Sequence, residues 1–422
     1  MEVELRIVEL LCRAAEFDAY YGTMIPLVEP GPALEPERIT RYSRQLMLPG
    51  FGEGAQRRLA AARVLVIGAG GLGSAIVPVL AGSGIGTIGV ADDDVVELSN
   101  LHRQLSHGVD DIGRSKVDSL ADTVRAIDPQ RDLVIHRERL TSENLPMILK
   151  QYDLIVDGSD NFPTRYLAND AAELAAKPLV WGSILRFHGQ VGVAWREHGP
   201  TFRDLFPSPP PADETLSCEL GGVLPSLCTA IGSLMATEVV KLVTGIGEPL
   251  LGRVLFYDAL TARTREIAYA TDDTRAPVSE LIDYEEFCGI QSDPASDDVD
   301  ATSAAELLQW MRERRPLRLI DVREPHEARA RRIPGGRLLP MGRLDAGESP
   351  EPPDDGAAGE KIVVYCERDP RSRRAARTLT GRGFHVTYLA GGIQAFVAVG
   401  GSVVEGDAVQ DAASEQIEVA SS

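Results

Sequence analysis

The sequence predicts an α/β protein built from two units, a larger doubly wound unit followed by a smaller one. Short apolar runs that end at glycine or polar residues alternate with helix-compatible stretches, as in a parallel sheet covered by helices. Residues 63–67 (RVLVI) form the clearest run, which is continuous, apolar and followed by glycines, as a buried parallel strand would be. At about 150 residues per domain, a chain of 422 residues has room for two or three domains.

The first unit is expected over residues 37–270. Residues 207–213 (PSPPPAD) interrupt its alternating pattern and are predicted to form a loop, because proline removes backbone hydrogen-bond donors. A helical pattern resumes over 222–242 and leads into LFYDALTARTREI (255–267), which predicts a strand, a turn and a strand. Further strands are predicted at 87–91, 133–136, 154–156 and 179–181, and helices at 74–81 and 116–127.

A second α/β unit is expected over residues 300–400, after an irregular acidic linker at 271–299. Its clearest strands are LRLIDVRE (317–324) and KIVVYC (361–366). The two ends of the chain lie outside these units. Residues 1–36 are predicted to be an N-terminal extension and residues 401–422 a disordered acidic tail.

The composition excludes several classes of protein. Hydrophobic residues make up 44% and charged residues 25%, so the chain is not mainly disordered. Asp and Glu number 63 against 43 Lys and Arg, and the net charge of −20 argues against nucleic-acid binding, which needs clustered cations. No stretch is expected to approach the ~20 uncharged apolar residues of a membrane helix. Five scattered cysteines show no disulfide framework, and together these features predict a cytoplasmic protein without a membrane partner.

A glycine-rich segment follows the first strand and precedes a helix. In this segment, Gly68-Ala69-Gly70-Gly71-Leu72-Gly73, the glycines permit a tight turn and a close backbone approach to phosphates at the positive end of a helix dipole. Asp92 ends the second strand, where a carboxylate can accept hydrogen bonds from ribose hydroxyls. These two features fit an NAD-dependent oxidoreductase as well as any other nucleotide enzyme.

The residues further along favour phosphoryl or nucleotidyl transfer over hydride transfer. Arg103 and Lys116 are cations near the glycine loop, and Asp160 follows the strand at 154–156. Two cations can offset charge on a triphosphate, and the carboxylate can hold Mg²⁺. Considered one at a time, each cation is equally well explained as a surface residue. Asp160 alone is equally well explained as a helix cap.

Six ordered motifs resemble the MoeB/ThiF adenylyltransferases, which are related to ubiquitin-activating enzymes. The resemblance covers roughly residues 37–270 and implies a doubly wound nucleotide-binding fold. Members of this family adenylate the C-terminal glycine of a small ubiquitin-fold sulfur carrier. The motifs are RYSRQLMLPGFG (41–52), GAGGLGS (68–74), DDDVVELSNLHRQ (92–104), GRSKV (113–117), DGSDNFPTRY (157–166) and GSLMATEVVKL (232–242).

The resemblance assigns roles to individual residues. It implies that Gly71 lies at the phosphates of ATP, Asp92 at the ribose and Asp160 at Mg²⁺. Arg44 matches an arginine that family dimers supply to the neighbouring subunit, which implies a homodimer. The implied nucleotide-binding residues are Gly68, Gly70, Gly71, Gly73, Asp92, Asp94, Ser99, Asn100, Leu101, His102, Arg103, Lys116, Asp160 and Asn161.

The sequence departs from this family at a structural metal site. Members commonly carry two CxxC pairs, and four thiolates suit tetrahedral zinc. Residues 201–204 (TFRD) stand in place of the first pair, and only Cys288 lies in the region of the second. We therefore predict no zinc site. Some two-domain relatives of the MoeZ type also lack the pairs, and ELIDYEEFCG (280–289) is similar to their sequence.

Cys366 ends an apolar strand and is followed by a short loop and a helix. A thiol above a helix N-terminus is stabilised as an anionic thiolate or persulfide, and Arg368 and Arg371 add positive charge suited to an anionic sulfur donor. A buried cysteine at a strand end, without function, is the alternative for the residue alone.

The surrounding pattern resembles a rhodanese domain over about residues 300–400. The resemblance rests on LIDVREPHEARARRIPGGRLLPMGRL (319–344), the Cys366 loop and YLAGGIQAF (388–396), and it implies that Cys366 carries a persulfide. Asp369 departs from family loops, which often have glycine there. It could slow the use of thiosulfate, favour a protein persulfide donor or strain the loop. The implied persulfide loop is Glu367, Arg368, Asp369, Pro370, Arg371 and Ser372.

Cys218 matches the mobile crossover-loop cysteine of relatives, which in some members bonds covalently to the carrier. The alternative is a free loop cysteine. Cys228 lies in a helical run and is expected to fill the core, whereas Cys12 and Cys288 receive no role.

These features together predict a fused adenylyltransferase and sulfurtransferase. It would use ATP and Mg²⁺ to activate a sulfur carrier ending in Gly-Gly, with thiosulfate or a persulfidic protein as sulfur donor. Molybdopterin and cysteine assembly are the pathways that the resemblance favours. Two alternatives stay open: an activating enzyme whose rhodanese domain is only a docking module, and an NAD-dependent oxidoreductase. The predicted catalytic residues are Cys366, Cys218, Arg103, Lys116, Asp160 and Arg44.

Overall fold

The computed structural model describes residues 24–210, 222–288, 299–350 and 361–406. The chain divides into two compact units, residues 1–291 and residues 292–422. Each unit has a sheet with parallel strands connected through helices, so the predicted α/β class is confirmed.

The described part of the first unit contains an eight-stranded sheet in the order β3-β2-β1-β4-β5-β6-β7-β8. Strands β1 to β5 are parallel, and β5 to β8 pair in antiparallel fashion. Ile67 at the end of β1 pairs with Ala91 on one side and Asp157 on the other, so three loops leave the sheet at one edge. The strands are β1 (Arg63–Ile67), β2 (Thr87–Ala91), β3 (Asp132–His136), β4 (Leu154–Asp157), β5 (Leu179–Leu185), β6 (His188–Ala194), β7 (Arg253–Asp258) and β8 (Arg263–Ala268).

Helices cover both faces of this sheet because successive residues of the buried strands point to opposite sides. Val64 and Val66 of β1 belong to one apolar core, and Leu65 and Ile67 belong to the other. The first core is completed by α3, α4, α5 and α9, and the second by α6, α7, α8 and α10. The helices are α1 (Pro36–Arg41), α2 (Ser43–Leu46), α3 (Gly52–Ala61), α4 (Gly73–Ser83), α5 (Lys116–Ile127), α6 (Leu145–Leu149), α7 (Phe162–Leu174), α8 (Phe202–Leu205), α9 (Pro225–Thr244) and α10 (Tyr284–Phe287).

Helix α9 has the length and hydropathy of a membrane span, so the expectation that no stretch approaches these values is wrong. It is nevertheless a core helix, because 61% of its most apolar 18-residue stretch is buried. Leu227, Ile231 and Val239 on this helix are fully buried in the first core. The long apolar stretch is thus explained by packing against the sheet.

The second unit has, among its described residues, a five-stranded parallel sheet in the order β11-β10-β12-β13-β9. Strand β12 lies at its centre, and Cys366 follows the end of this strand. The strands are β9 (Ala301–Thr302), β10 (Leu317–Asp321), β11 (Arg337–Leu338), β12 (Lys361–Tyr365) and β13 (Val386–Leu389). The helices are α11 (Ala304–Arg312), α12 (Pro325–Ala330), α13 (Met341–Asp345), α14 (Pro370–Gly381) and α15 (Gly392–Ala398).

Residues 24–35 fall within the expected N-terminal extension and contact the first unit. The Leu27 amide donates to the Leu242 carbonyl of α9 at 3.0 Å, and the Gly31 amide donates to the Arg57 carbonyl of α3 at 3.2 Å. This segment therefore reaches α1 along the surface of the first core.

A buried carboxylate fixes the helix that precedes Arg44. Asp128, at the end of α5, has a 2% exposed side chain and forms ion pairs with Arg38 of α1 and, at 3.0 Å, with Arg131. Although burial raises the pKa of Asp128, hydrogen bonds from Arg38 and Arg131 more than offset this effect, and the pKa falls to about 2. The charged form of Asp128 is therefore part of the folded structure.

We expect the substitution Asp128→Asn to destabilise the chain by about 3 kcal/mol at pH 7, because it leaves two mostly buried guanidinium groups without their anion. The folded-state pKa of Asp128 is lowered, so its contribution is complete above the unfolded pKa of about 3.9 and is lost as the pH falls towards 2. Urea unfolding of both proteins between pH 7 and pH 2 checks this. The stability difference should narrow below about pH 4, and a constant difference would contradict the assignment.

Candidate functional site

A cavity of about 620 Å³ lies at the edge of the first sheet where strands β1 to β5 end. The loops that follow these strands meet there because parallel strands all end at the same edge. Of the fourteen predicted nucleotide-binding residues, Gly73, Ser99, Leu101 and His102 do not line this cavity. The ten that do are Gly68, Gly70, Gly71, Asp92, Asp94, Asn100, Arg103, Lys116, Asp160 and Asn161.

The glycine loop is held by close backbone packing. Gly68 has a φ of +90°, and a Cβ atom placed on Gly73 would lie 1.9 Å from the Gly68 carbonyl oxygen. Because glycine has no side chain, helix α4 can begin at Gly73 directly against the end of β1, where no larger residue would fit. Gly73 therefore has a packing role, whereas Gly68, Gly70 and Gly71 line the cavity.

Asp92 braces the glycine loop from the neighbouring strand. Its Oδ2 accepts a hydrogen bond from the Ala69 amide at 2.7 Å, and its Oδ1 accepts one from the Asp94 amide at 2.8 Å. Burial is the largest influence on this carboxyl group and raises its pKa, although both hydrogen bonds oppose the shift. A hydrogen bond from Asp92 to a ribose remains a prediction.

The two predicted cations of the cavity have different partners. Lys116 has an 8% exposed side chain, and its Nζ lies 2.8 Å from Asp94 Oδ2. Arg103 donates to the Ser99 carbonyl at 2.9 Å and lies 2.9 Å from the ring of His102. Burial and, secondarily, the charge of Arg103 lower the pKa of His102. Ser99 and His102 thus support Arg103 without lining the cavity.

Asp160 and Asn161 follow β4 at the same edge. Asp160 is exposed and lines the cavity, while the Asn161 side chain caps α7 by accepting from the Thr164 amide at 2.9 Å. The carboxylates of Asp92, Asp93 and Asp94 have oxygens within 4.8 Å of one another. Oxygen ligands of this kind suit Mg²⁺. The sequence predicts the ion at Asp160, which is not part of this cluster but also offers a carboxylate to the cavity, so Mg²⁺ at Asp160 stays a prediction.

An ion pair that was not predicted from the sequence lies close to Asp160. Asp157 is fully buried, and Arg165 of α7 donates to its Oδ2 at 3.0 Å. Arg165 also donates to the carbonyls of Ser159 and Gly182 at 2.9 and 2.7 Å, and it lines the cavity. Both residues lie inside the family motif at 157–166, and membership of that motif was the sequence feature that could have identified them. The missed lining residues after β3 are Glu138, Arg139 and Leu140.

Two residues from the sequence predictions, Arg44 and Cys228, are described but do not line the cavity. Arg44 is exposed on α2 and is not among the residues that line the cavity of its own chain. Cys218 lies outside the described residues, so its predicted role stays a prediction. Cys228 of α9 is fully buried directly under the loop, since a Cβ on Gly71 would lie 3.1 Å from its sulfur. Burial raises the pKa of the Cys228 thiol.

Ion pairs and aromatic rings occupy the place of the first expected CxxC pair. Arg203 donates to both carboxylate oxygens of Asp170 at 2.6 and 2.7 Å. Its guanidinium lies 4.9 Å from the ring centre of Tyr166 and 4.7 Å from that of Phe287. The Tyr284 hydroxyl donates to the same carboxylate at 2.7 Å and attaches α10 to α7.

Cys288 is the one described cysteine in this region, whereas a tetrahedral zinc site of this family uses four thiolates. It is buried, and burial raises the pKa of its thiol to about 11. Asp204 accepts from Arg275 at 3.2 Å and from the Thr201 amide at 2.6 Å. The described residues around 201–204 therefore do not fit tetrahedral zinc, and ion pairs connect the segments instead.

In the second unit, Cys366 is 1% exposed and belongs to the apolar core. Its thiol donates to Ser372 Oγ at 3.4 Å, and Ser372 Oγ donates to the Asp369 carbonyl at 3.0 Å. The sulfur thus lies between the end of β12 and the first turn of α14, as expected for a strand–loop–helix cysteine.

Charged residues of the Cys366 loop are paired with neighbours. Glu367 accepts from Arg323 at 3.0 Å and also pairs with Arg331. Arg371 donates to both carboxylate oxygens of Glu327 at 2.6 and 2.7 Å. Burial is the largest influence on Glu327 and raises its pKa, but the hydrogen bonds from Arg371 and the Glu324 amide, together with the nearby arginine charges, leave the pKa lowered. Much of the positive charge near Cys366 is thus already balanced.

Asp369 attaches the loop to a neighbouring turn. Its Oδ1 accepts from the Gly391 amide at 2.6 Å. The next residue, Gly392, approaches so closely that a Cβ would lie 2.2 Å from the Arg368 carbonyl oxygen. The φ of −127° at Asp369 is outside the left-handed region, so the backbone gives no support to the loop-strain alternative.

Comparisons with known proteins agree with both resemblances. The ThiF family matches residues 42–278, and the Rhodanese-like domain matches residues 303–399. The chain is 47% identical over 379 residues to "Probable adenylyltransferase/sulfurtransferase MoeZ" of Mycobacterium tuberculosis, a match covering 88% of this chain and 96% of the relative. It is 46% identical over 267 residues to "Sulfur carrier protein adenylyltransferase" of Thermus thermophilus, a match covering 60% of this chain and 98% of that protein.

A solved structure supports the fold of the first unit. The crystal structure of E. coli MccB with MccA-N7isoASN matches 57% of this chain and 75% of its own length, with a TM-score of 0.51 and 19% identity. At this identity the likeness concerns the fold alone.

We expect treatment with EDTA to leave the thermal unfolding temperature of the full chain unchanged, because Arg203, Asp170 and their neighbours connect the segments without a metal. Thermal unfolding before and after dialysis against EDTA, with zinc analysis of the purified protein, checks this. Stoichiometric zinc, lost together with a fall of several degrees in Tm, would show that the site binds metal.

Proposed function

Because this chain belongs to the ThiF family and carries a rhodanese-like domain, we propose that it adenylates a sulfur carrier protein and then transfers sulfur to it. The single observation that carries this proposal is the presence, in one chain, of the cation-lined cavity and the Cys366 loop. The relative named adenylyltransferase/sulfurtransferase is similar over both parts. The carrier would be a ubiquitin-fold protein ending in Gly-Gly.

In the first half-reaction, the terminal carboxylate of the carrier attacks the α-phosphate of ATP and pyrophosphate leaves. Arg103 and Lys116 offset the charge that develops on the phosphates, and Arg44 from a second copy of the chain adds to them. Bound Mg²⁺, held by Asp160, would supply further charge neutralisation. No side chain acts as a strong base, since the nucleophile is already an anion.

In the second half-reaction, the outer sulfur of a Cys366 persulfide attacks the acyl carbon and AMP leaves, giving an acyl disulfide. A second thiol, for which Cys218 is the candidate, attacks the inner sulfur on Cys366. The thiocarboxylate leaves, and a disulfide between the two cysteines remains, which an external thiol must reduce before the next turnover. The persulfide forms from thiosulfate, with loss of sulfite, or from a persulfidic protein. The tether between the units raises the effective concentration of persulfide at the adenylate.

One observation is also compatible with a second function. Cys366 is 1% exposed and Arg371 is neutralised by Glu327, as would also hold for a rhodanese domain that only docks a partner. Persulfide formation on Cys366 distinguishes the two functions. The NAD-dependent oxidoreductase has no support from the family matches.

The proposal is tested by the intact mass of a Gly-Gly-ended sulfur carrier from the same genome, incubated with this protein, Mg·ATP and thiosulfate or a persulfidic protein. We expect a mass gain that corresponds to replacement of one oxygen by sulfur. If every such carrier stayed unchanged with both kinds of donor, sulfur transfer would be excluded.

The two half-reactions are expected to separate by mutation. Asp160→Ala should lower carrier-dependent ATP–pyrophosphate exchange by at least about 100-fold, because it removes the proposed cation ligand. Cys366→Ala should leave exchange within about twofold of wild type and abolish thiocarboxylate formation. Cys288→Ala is the control, since it removes another buried thiol that has no proposed role. Loss of exchange in folded Cys366→Ala protein would contradict this division.

The contribution of Arg44 from a second copy can be tested by complementation. Arg44→Ala and Lys116→Ala chains should each be inactive alone. In a mixed dimer, the cavity of the Arg44→Ala chain keeps its own Lys116 and receives Arg44 from the other chain, so one of the two cavities is intact. Co-expression with random pairing should therefore restore about one quarter of wild-type exchange activity. If Arg44 acts within its own chain, no activity returns.

A further inference from the structure

A buried histidine connects the glycine loop to the helix that carries Lys116. His107 is 6% exposed, and its Nε2 lies 3.2 Å from the Ala69 carbonyl oxygen. On the other side of the ring, Nδ1 lies 2.8 Å from Oγ of Ser119 in α5. His107 is not among the residues that line the cavity, so it acts on a ligand only through its neighbours.

The contact with Ala69 controls the direction of a neighbouring amide. The described peptide bonds are trans, and in a trans peptide the carbonyl and the N–H point in opposite directions. The Ala69 carbonyl points to His107, so the N–H of Gly70 in the same peptide points away from His107. Gly70 lines the cavity, where an inward N–H can bind a phosphate oxygen.

Two side chains thus fix two successive peptides of the loop. Asp92 accepts from the Ala69 amide at 2.7 Å, which holds the peptide between Gly68 and Ala69. His107 holds the following peptide from behind. Burial is the largest influence on His107 and lowers its pKa, with help from the charge of Lys116, while the hydrogen bond with Ala69 and the charges of Asp111 and Asp92 oppose this. The neutral ring donates from Nε2 to Ala69 and accepts at Nδ1 from Ser119.

We propose that His107 is a positioning residue for the nucleoside triphosphate: it holds the Ala69 carbonyl so that the loop amides face the phosphates, and it ties the loop to α5. Ser119 is one turn after Lys116 on that helix, so the ring sets the distance between the loop and the cation. This inference rests on the proposed use of ATP. Its energetic basis is preorganisation, since the loop is ordered before the ligand arrives.

The test compares variants that keep or remove the donor. His107→Leu fills the space without a donor and should raise the KM for ATP in pyrophosphate exchange about tenfold, with a smaller change in kcat. His107→Gln retains an amide donor and should recover to within about threefold of the wild-type KM. His198→Leu is the control, because His198 stacks on Trp195 and does not line the cavity.

A merely structural role for His107 predicts a different result: both variants would lower Tm, while the folded fraction would keep the wild-type KM. That result would overturn the inference. If His107→Leu fails to fold, Ser119→Ala is used in its place, because it removes the second contact of the ring. Ser119→Ala should raise the KM for ATP about threefold, and an unchanged KM would contradict the inference.

Equilibrium binding of a non-hydrolysable Mg·ATP analogue separates this inference from the proposed function. If wild type binds the analogue but no carrier supports exchange, the proposed function fails while the His107 comparison can still be made. Equal affinity of the wild type and His107→Leu proteins would contradict the inference even if exchange occurs.

Discussion

The first unit depends on one steric constraint, which is the contact between Gly73 and the Gly68 carbonyl. A single Cβ at Gly73 would lie 1.9 Å from that oxygen, so any larger residue would push α4 away from β1. The Gly68 amide is in turn bound to the Ala91 carbonyl at 2.8 Å, which ties the loop to β2. Because helix and loop are fixed this closely, the loop glycines, Leu72 just before α4 and Asp92 all line one cavity.

Charge in this cavity is arranged around the rigid loop. Lys116 is held by Asp94, and Arg103 is held by backbone and by His102, so the cations are placed before any nucleotide binds. Under the proposed function, a phosphate would compete with the carboxylate of Asp94 for Lys116, and a ligand carrying several negative charges would compete best. Asp92 is bonded to the loop itself, and for this reason its carboxyl group has a structural role in addition to the predicted contact with ribose.

Much of this arrangement could be predicted from the sequence because it follows from strand ends. Residues directly after β1, β2 and β4 meet at one edge of any parallel sheet, and seven of the ten predicted residues that line the cavity lie there. The other three, Asn100, Arg103 and Lys116, were predicted from the family motifs. Contacts between distant segments could not be predicted. Arg203 binds Asp170, 33 positions earlier, and His107 reaches back 38 positions to Ala69. Helix α9 was misjudged because a core helix packed on several sides can be as apolar as a membrane span.

The second unit shows how ion pairs restrict access to a reactive sulfur. Cys366 is covered, Glu367 is bound by Arg323 and Arg331, and Arg371 is bound by Glu327, so a small anion must compete with a carboxylate for each of these three arginines. Thiosulfate can exchange with one such pair at a time. A protein surface can replace several pairs at once and displace the loop with the same contacts. If the chain transfers sulfur, as proposed, this pairing is the reason to test a persulfidic protein beside thiosulfate, and the bond from the Gly391 amide to Asp369 is one of the contacts that such a partner would have to displace.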